Sequence, residues 1–236
     1  MYLMFLAILL VFVLVPPIDA LIEKKKPKEK DVVFTEKMRC KRYVQSMAFL
    51  WGAGITIFIT CFVAGKSPEV IGIRPIRFHY NIWFTVITLV VCGVAAAYFL
   101  YILIVSLTST KYREEAKKQI AASGGIDMVI PRTKKEKLVF SFVALSAGIC
   151  EEMIYRGCFM FFLHAVFPGI PVYLIVLIPS VLFGTAHFYQ GVQGVIHTGI
   201  TGAALMCLFL VSDSLIPGMA LHFFMDFSST FLLSEE

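Results

Sequence analysis

The chain has 236 residues, of which 58% are hydrophobic and 16% are charged, and its mean hydropathy is +0.82. This composition excludes an ordinary soluble domain, because the apolar runs are long enough to cross a bilayer. The formal net charge of +5 does not indicate nucleic-acid binding, since the position of the basic residues matters more than their sum and none follows Arg156. We therefore predict an all-α protein, a polytopic membrane bundle of seven or eight transmembrane helices.

Met1–Ala20 is the first apolar segment. It has no basic residues before its apolar stretch, and Ile18-Asp19-Ala20 is a poor cleavage site, so we expect a retained span rather than a cleaved signal peptide. Pro16 and Pro17 are expected to end its helix, because proline removes a backbone donor.

Two strongly basic segments separate the next spans, which are predicted at Tyr43–Ala64 and His79–Leu107. Lys24–Arg42 contains nine Lys or Arg residues and Lys111–Lys137 contains eight, with Ser123-Gly124-Gly125 as a flexible middle. The connector Gly65–Arg77 contains only three. Because basic loops are retained in the cytoplasm, we predict that both basic segments are cytoplasmic loops and that the connector faces out.

The second half of the chain is almost continuously apolar. The run from Leu138 to Phe167 would be roughly 45 Å long as a helix, which is too long for one untilted span, so a bend near Gly148 or Gly157, or two segments, is expected. Three further helices are predicted at Val172–Phe188, Val192–Val211 and Ile216–Leu233.

Charged residues interrupt this run at Glu151, Glu152 and Arg156. Charges at membrane depth are costly and commonly mark function. On a helix Glu152 and Arg156 share one face and can pair, whereas Glu151 is rotated by roughly 100° and has no basic residue at helical spacing. Glu151 is therefore an uncompensated carboxylate and a candidate general base.

Two more pairs have the same four-residue spacing, Phe183 with His187 and His222 with Asp226. A single histidine in an apolar helix is more often a hydrogen-bonded core residue than a catalyst. Three polar intrusions in one half of a membrane protein are harder to explain in this way, because the bundle must accommodate each of them separately.

Together the motifs Glu151-Glu152-x-x-x-Arg156, Phe183-x-x-x-His187 and His222-x-x-x-Asp226 resemble those of the CPBP family of intramembrane endopeptidases, in the family's order. This family includes the type 2 CAAX prenyl proteases and the bacterial Abi and bacteriocin-immunity proteins. The lead-in Pro131-x-Thr133-x-x-Glu136 is similar too. The resemblance covers about 131–227, so 1–130 is predicted to be an N-terminal region of membrane helices and basic loops, and 131–236 a catalytic helical core.

The resemblance implies a glutamate-dependent protease that acts near the membrane interface. In it Glu151 and His187 activate a water, while His222 and the residue at 226 stabilise the oxyanion. Glu152 and Arg156 would form a structural ion pair, and Phe183 is the aromatic residue of its motif. Peptide hydrolysis needs such a base and such donors.

Position 226 departs from the family, in which many members have Asn. An ionised Asp cannot donate a hydrogen bond to an oxyanion. Either Asp226 is protonated, or its role is to orient His222.

Other functions stay open at this point. Two histidines and one or two carboxylates suit zinc or another divalent metal, which would make the chain a metal-dependent membrane protease, although no His-Glu-x-x-His helix is present. The chain could instead bind a membrane partner or give bacteriocin immunity without catalysis. A transporter is disfavoured because we find no paired repeats. We expect no cofactor, a membrane-associated peptide or protein substrate, and a multi-pass location in the plasma membrane of a prokaryote.

The predicted topology can be tested with Ser67→Cys and Ala122→Cys in a background without the six native cysteines. We expect an impermeant thiol reagent applied to intact cells to label position 67 and not position 122, because Lys111–Lys137 is retained inside. Equal labelling of the two positions would contradict the topology.

Overall fold

The structure is a computed structural model that describes residues 1–25, 35–123 and 129–231. Over these residues it consists of helices and contains no strand, so the predicted all-α membrane bundle is confirmed. The α-helices of the described ranges are α1 (Tyr2–Lys25), α2 (Glu36–Val63), α3 (Ile82–Thr108), α4 (Thr110–Ser123), α5 (Lys134–Glu152), α6 (Phe159–Val166), α7 (Val172–Ala186), α8 (Gly191–Ser212) and α9 (Leu215–Ser229). A π-helical turn, Met153–Cys158, joins α5 to α6, and short 3-10 turns lie at Pro68–Ile71 and Phe188–Gln190.

Five helical segments of the described ranges are long and apolar enough to cross a membrane. They are α1, α2, α3, the continuous segment from α5 to α6, and α8 with the short turn before it. The apolar helices α7 and α9, of 15 residues each, pack against α8 and α5 respectively. The described residues therefore contain five candidate membrane spans and two shorter helices, which is consistent with a helical membrane bundle.

α1 continues through Pro16 and Pro17 to Lys25, so the prediction that these prolines end the helix is wrong. Proline has no N–H, and Pro16 therefore leaves the carbonyl of Phe12 without its usual helical donor. The hydroxyl of Tyr155 donates to this carbonyl at 3.0 Å. Membrane helices tolerate proline where a neighbouring helix supplies the missing hydrogen bond in this way.

Parts of both basic segments are helical, which corrects their prediction as loops. α2 begins at Glu36, because the side chain of Thr35 caps its first turn by accepting from the Met38 amide. The second basic segment contains α4, whose Glu, Lys and Ala residues favour a helix. Residues 26–34 and 124–128, which include Pro27 and the expected flexible Gly124-Gly125, lie outside the described residues.

The long run from Leu138 to Phe167 is one helical segment that changes geometry at the π turn. This turn contains Gly157, one of the two glycines at which a bend is predicted. A Cβ atom at Gly157 would lie 2.6 Å from the carbonyl oxygen of Ile71, so only glycine allows the connector before α3 to approach this closely. The π turn therefore packs directly against the connector.

Helices from both sides of residue 130 share one hydrophobic core, which includes Phe5 and Ile57 as well as Met153 and Leu215. A buried ion pair, Arg39 Nε to Glu136 Oε1 at 2.7 Å, also fastens α2 to the first turn of α5. The two predicted regions, 1–130 and 131–236, therefore pack together in the structure. Their assignment as a membrane-helix region and a catalytic core stays a prediction.

α5 and α9 lie close together at Gly148. A Cβ atom there would lie 2.9 Å from the Phe223 amide nitrogen and 3.0 Å from the Met219 carbonyl oxygen. These are backbone atoms of α9, which cannot move aside as a flexible side chain could. The close contact therefore sets the distance between the two helices.

We expect Gly148→Ala to lower the unfolding temperature in detergent, by about 2–4 °C for each kcal/mol of steric strain, because the added methyl overlaps the α9 backbone. Gly93→Ala in α3 is the matched control, since no atom lies within 4 Å of a Cβ there. This control should be neutral or stabilising, because Ala favours helix over Gly. Equal unfolding temperatures for the two variants would show that α5 and α9 are not in close contact.

Candidate active site

The charged and aromatic residues of the three motifs lie on four adjoining elements of the bundle. Glu151 and Glu152 are the last residues of α5, and Arg156 lies in the π turn that follows. Phe183 is near the end of α7, with His187 directly after it. His222 and Asp226 stand one turn apart on α9. The residues predicted from sequence are therefore brought to one region of the fold.

Glu152 is fully buried and forms the centre of a charged cluster. Its Oε1 atom lies 2.9 Å from Nη1 of Arg156 and 2.9 Å from Nδ1 of His222. The Arg156 contact is an ion pair whose atoms are not aligned as a hydrogen bond, whereas the His222 nitrogen donates to the carboxylate. Glu152 thus links its own helix to α9 while it compensates a buried guanidinium.

Arg156 is held by two further contacts. Its Nη2 atom donates to the carbonyl of Gly202 in α8 at 3.2 Å. Its guanidinium carbon lies 4.6 Å from the centre of the Phe183 ring, which is within the range of a cation–π interaction. Since the side chain is only 1% exposed, these contacts replace the water that a guanidinium would otherwise bind.

Glu151 has a different environment from its neighbour. Its Oε2 atom is buried and has no hydrogen-bond partner among the described residues, which is also true of Oε2 of Glu152, but only Glu152 is paired with Arg156 there. The nearest recorded positive group is Nε2 of His222 at 3.8 Å, which is too long for a hydrogen bond. The side chain therefore retains a free carboxylate oxygen within the cluster.

His222 connects the carboxylates of the site. With Nδ1 donating to Glu152, its Nε2 atom is left facing Glu151 and Asp226, whose Oδ2 atom is 3.7 Å away. A neutral imidazole has only one N–H, so Nε2 can donate only when the ring carries two protons. The surrounding carboxylates favour that positively charged form.

His187 differs from His222 in that its free nitrogen is a hydrogen-bond acceptor. Its Nδ1 atom lies 2.8 Å from the carbonyl oxygen of Phe183, and a carbonyl can only accept a hydrogen bond. Nδ1 therefore carries the hydrogen, and Nε2 of the neutral ring has a free lone pair. The Phe183 ring also contacts both histidines, with centroids 4.8 Å from His187 and 5.8 Å from His222.

Two tyrosines at the site were not identified from sequence. Tyr155 lies between the glutamates and Arg156 in sequence, is 2% exposed, and has its ring centre 5.0 Å from that of Phe183. Tyr189 is exposed, and its ring centre lies 5.8 Å from that of His187. Their closeness in sequence to motif residues was the only available signal, since aromatic residues are common throughout this chain.

The predicted metal alternative requires at least three side chains to converge on one point. Within the described ranges, no group of three His, Cys, Asp or Glu side chains has such an arrangement. Among the candidate ligands, Nε2 of His222 lies 3.8 Å from Glu151 and 3.7 Å from Asp226.

The family comparison supports the resemblance seen in the motifs. Residues 134–228 match the family model described as Type II CAAX prenyl endopeptidase Rce1-like. The match contains all the predicted site residues and begins at the first residue of α5. Neither a curated protein nor a solved structure matches the chain. The predicted resemblance to the CAAX protease family is thereby confirmed over this region, which is also apolar and helical like a multi-pass membrane protein.

The different environments of the two glutamates lead to a test of stability. We expect Glu152→Gln to destabilise the protein by about 3–5 kcal/mol, because it leaves a buried guanidinium without its countercharge. Glu151→Gln should have little effect, since that side chain forms no ion pair with Arg156. Thermal unfolding of both variants in detergent measures the difference. If Glu151→Gln is the less stable variant, the two assignments are reversed.

Proposed function

We propose that this protein is an intramembrane endopeptidase that hydrolyses peptide bonds near the membrane interface with a glutamate-activated water. The match to a family of CAAX-type endopeptidases supports the general activity. The observation that carries the mechanism is that Glu151, unlike Glu152, is not paired with Arg156 and keeps a buried oxygen without a hydrogen-bond partner among the described residues, 3.8 Å from Nε2 of His222. An acyl-transfer site needs a proton acceptor and a donor in this close relation.

Glu151 and His187 act on the attacking water. The free oxygen of Glu151 accepts one hydrogen of that water, and the lone pair of His187 Nε2 accepts or orients the other. The fixed Nδ1 hydrogen bond to Phe183 supports this role, because it keeps the His187 ring in the tautomer that accepts at Nε2.

His222 stabilises the oxyanion. When it carries two protons, its Nε2–H is free to donate to the carbonyl oxygen of the scissile bond, while Nδ1–H remains on Glu152. A donor fixed in advance stabilises the charge that develops without reorganisation during the reaction.

Asp226 favours the charged form of His222 and does not itself donate to the oxyanion. Its Oδ2 atom is 3.7 Å from Nε2, close enough for electrostatic attraction but beyond hydrogen-bond distance. An ionised carboxylate at this position is compatible with an oxyanion site if its charge is directed at the imidazolium.

The reaction then has a balanced course. Glu151 removes a proton from water, and the hydroxyl oxygen bonds to the carbonyl carbon of the peptide. The tetrahedral oxyanion, held by His222, collapses with cleavage of the C–N bond. The proton on Glu151 passes to the leaving amine, which restores the carboxylate.

Glu152, Arg156 and Phe183 hold the site together without touching the reacting atoms. The ion pair fixes the end of α5, and the Phe183 ring supports Arg156 from α7. The substrate is a membrane-associated peptide or protein, and the protein resides in the plasma membrane of a prokaryote.

The decisive measurement is cleavage by purified protein in liposomes, with peptides that carry or lack a prenyl group on a cysteine that further residues follow. We expect Glu151→Gln to reduce kcat at least about 100-fold, because a general base contributes that much or more. Glu69→Gln, an exposed glutamate outside the cluster, is the matched control and should retain full activity. Wild-type protein that cleaves no peptide would instead support the non-catalytic role in immunity or partner binding.

Asp226→Asn separates the competing roles of position 226. We expect this variant to retain activity within about tenfold of wild type, because Asn keeps the volume of Asp and adds a donor. If Asp226 holds a metal, the variant loses activity and chelators inhibit the wild type. If Asp226 is a protonated donor, wild-type activity falls at high pH and the Asn variant lacks that fall. In our mechanism both proteins lose activity at high pH as His222 loses its second proton, and the Asn variant does so at lower pH because it lacks the carboxylate charge. An inactive Asn variant, together with a wild type that chelators do not inhibit, would contradict our assignment of the base.

A further inference from the structure

α1 contains a backbone carbonyl that its own helix cannot satisfy. The carbonyl of Phe12 would normally accept from the amide four residues later, but that residue is Pro16, which has no N–H. Phe12 is buried, so water cannot easily take the place of the missing donor. A buried unsatisfied carbonyl is costly, and the position therefore requires a donor from elsewhere.

Tyr155 supplies that donor. Its hydroxyl lies 3.0 Å from the Phe12 oxygen, and both groups are buried. The two residues are 143 positions apart in sequence, so the bond joins α1 directly to the π turn beside the glutamates. The tyrosine hydroxyl thus replaces the amide donor that Pro16 lacks.

The same tyrosine supports the aromatic residue at the centre of the site. Its ring meets the Phe183 ring edge to face at 5.0 Å. Phe183 in turn accepts the hydrogen bond that fixes the His187 tautomer and lies under the guanidinium of Arg156. Phe183 is thus the one residue between Tyr155 and His187 in this chain of contacts.

We propose that Tyr155 is a positioning residue for the reaction, and that the carbonyl left free by Pro16 anchors it. In this arrangement α1 helps to position the active-site residues, although no family motif lies in it. The inference rests on the proposed function only in the part that concerns activity. The hydrogen bond and the orientation of His187 can be tested without it.

The kinetic test is Tyr155→Phe, which removes the hydroxyl and keeps the ring. We expect kcat to fall about tenfold with KM unchanged, and the pH profile to change shape, because the Phe183 carbonyl no longer holds His187 in one orientation. Tyr43→Phe is the matched control, since the Tyr43 hydroxyl also donates to a backbone carbonyl, that of Val129 at 2.7 Å, and no recorded contact joins it to the site. It should lose stability without a change in kcat or in the pH profile. A kcat for Tyr155→Phe equal to that of the control would overturn the positioning role.

The anchor is tested by a double-mutant cycle with Pro16→Ala. Alanine restores the amide that the Phe12 carbonyl lacks, so Tyr155→Phe should then leave no unsatisfied group. We expect Tyr155→Phe to lower the unfolding temperature by about 2–4 °C when Pro16 is present and by less than half as much when it is combined with Pro16→Ala. Equal shifts in both backgrounds would show that the hydroxyl does not replace the proline amide.

A readout without substrate keeps this inference separate from the proposed function. Nitrogen-15 NMR of labelled histidine reports the tautomer of His187, whose signal is assigned by its loss in His187→Gln. We expect wild type to show the Nδ1–H tautomer and Tyr155→Phe to show a mixture of both. If wild-type protein cleaves nothing but the tautomer shifts as expected, the proposed function fails and the positioning stands. An unchanged tautomer overturns the positioning whether or not the protein is a protease.

Discussion

The buried contact between Glu152 and Arg156 is the constraint on which the candidate site depends. Opposite charges remain inside an apolar bundle only when each compensates the other, because a single unpaired charge there is very costly. Arg156 also binds a backbone carbonyl of α8 and the ring of Phe183 in α7, while Glu152 binds His222 of α9. One ion pair thus joins three helices around the neighbouring free carboxylate.

Most helices of the described residues could be predicted from sequence, because an apolar run of membrane length is a strong local signal. α8, for example, is predicted at 192–211 and extends over Gly191–Ser212. The errors have two causes. The path of α1 through Pro16 depends on a tyrosine hydroxyl far along the chain, which no local pattern reveals. The early start of α2 at the Thr35 cap was visible in sequence, but the high density of charge around it favoured a loop.

The site divides in the same way between local and distant information. The pairing of Glu152 with Arg156 could be predicted, because helical periodicity places residues four apart on one face. The bond from His222 to Glu152 could not, since it requires α5 and α9 to approach as closely as Gly148 allows. The lone pair of His187 likewise depends on the orientation of a ring, which spacing in sequence does not determine.

The π turn at Met153–Cys158 has a consequence for how the gene can vary. A π turn accommodates one residue more than the α-helical path, so it corresponds to a single-codon insertion inside a membrane helix. Deletion of one codon there would restore regular geometry and leave α6 in nearly the same orientation relative to the glutamates, because the wide turn takes up the extra residue. Alignments that forbid gaps within helices would therefore shift α6 by one position in any relative that lacks the wide turn.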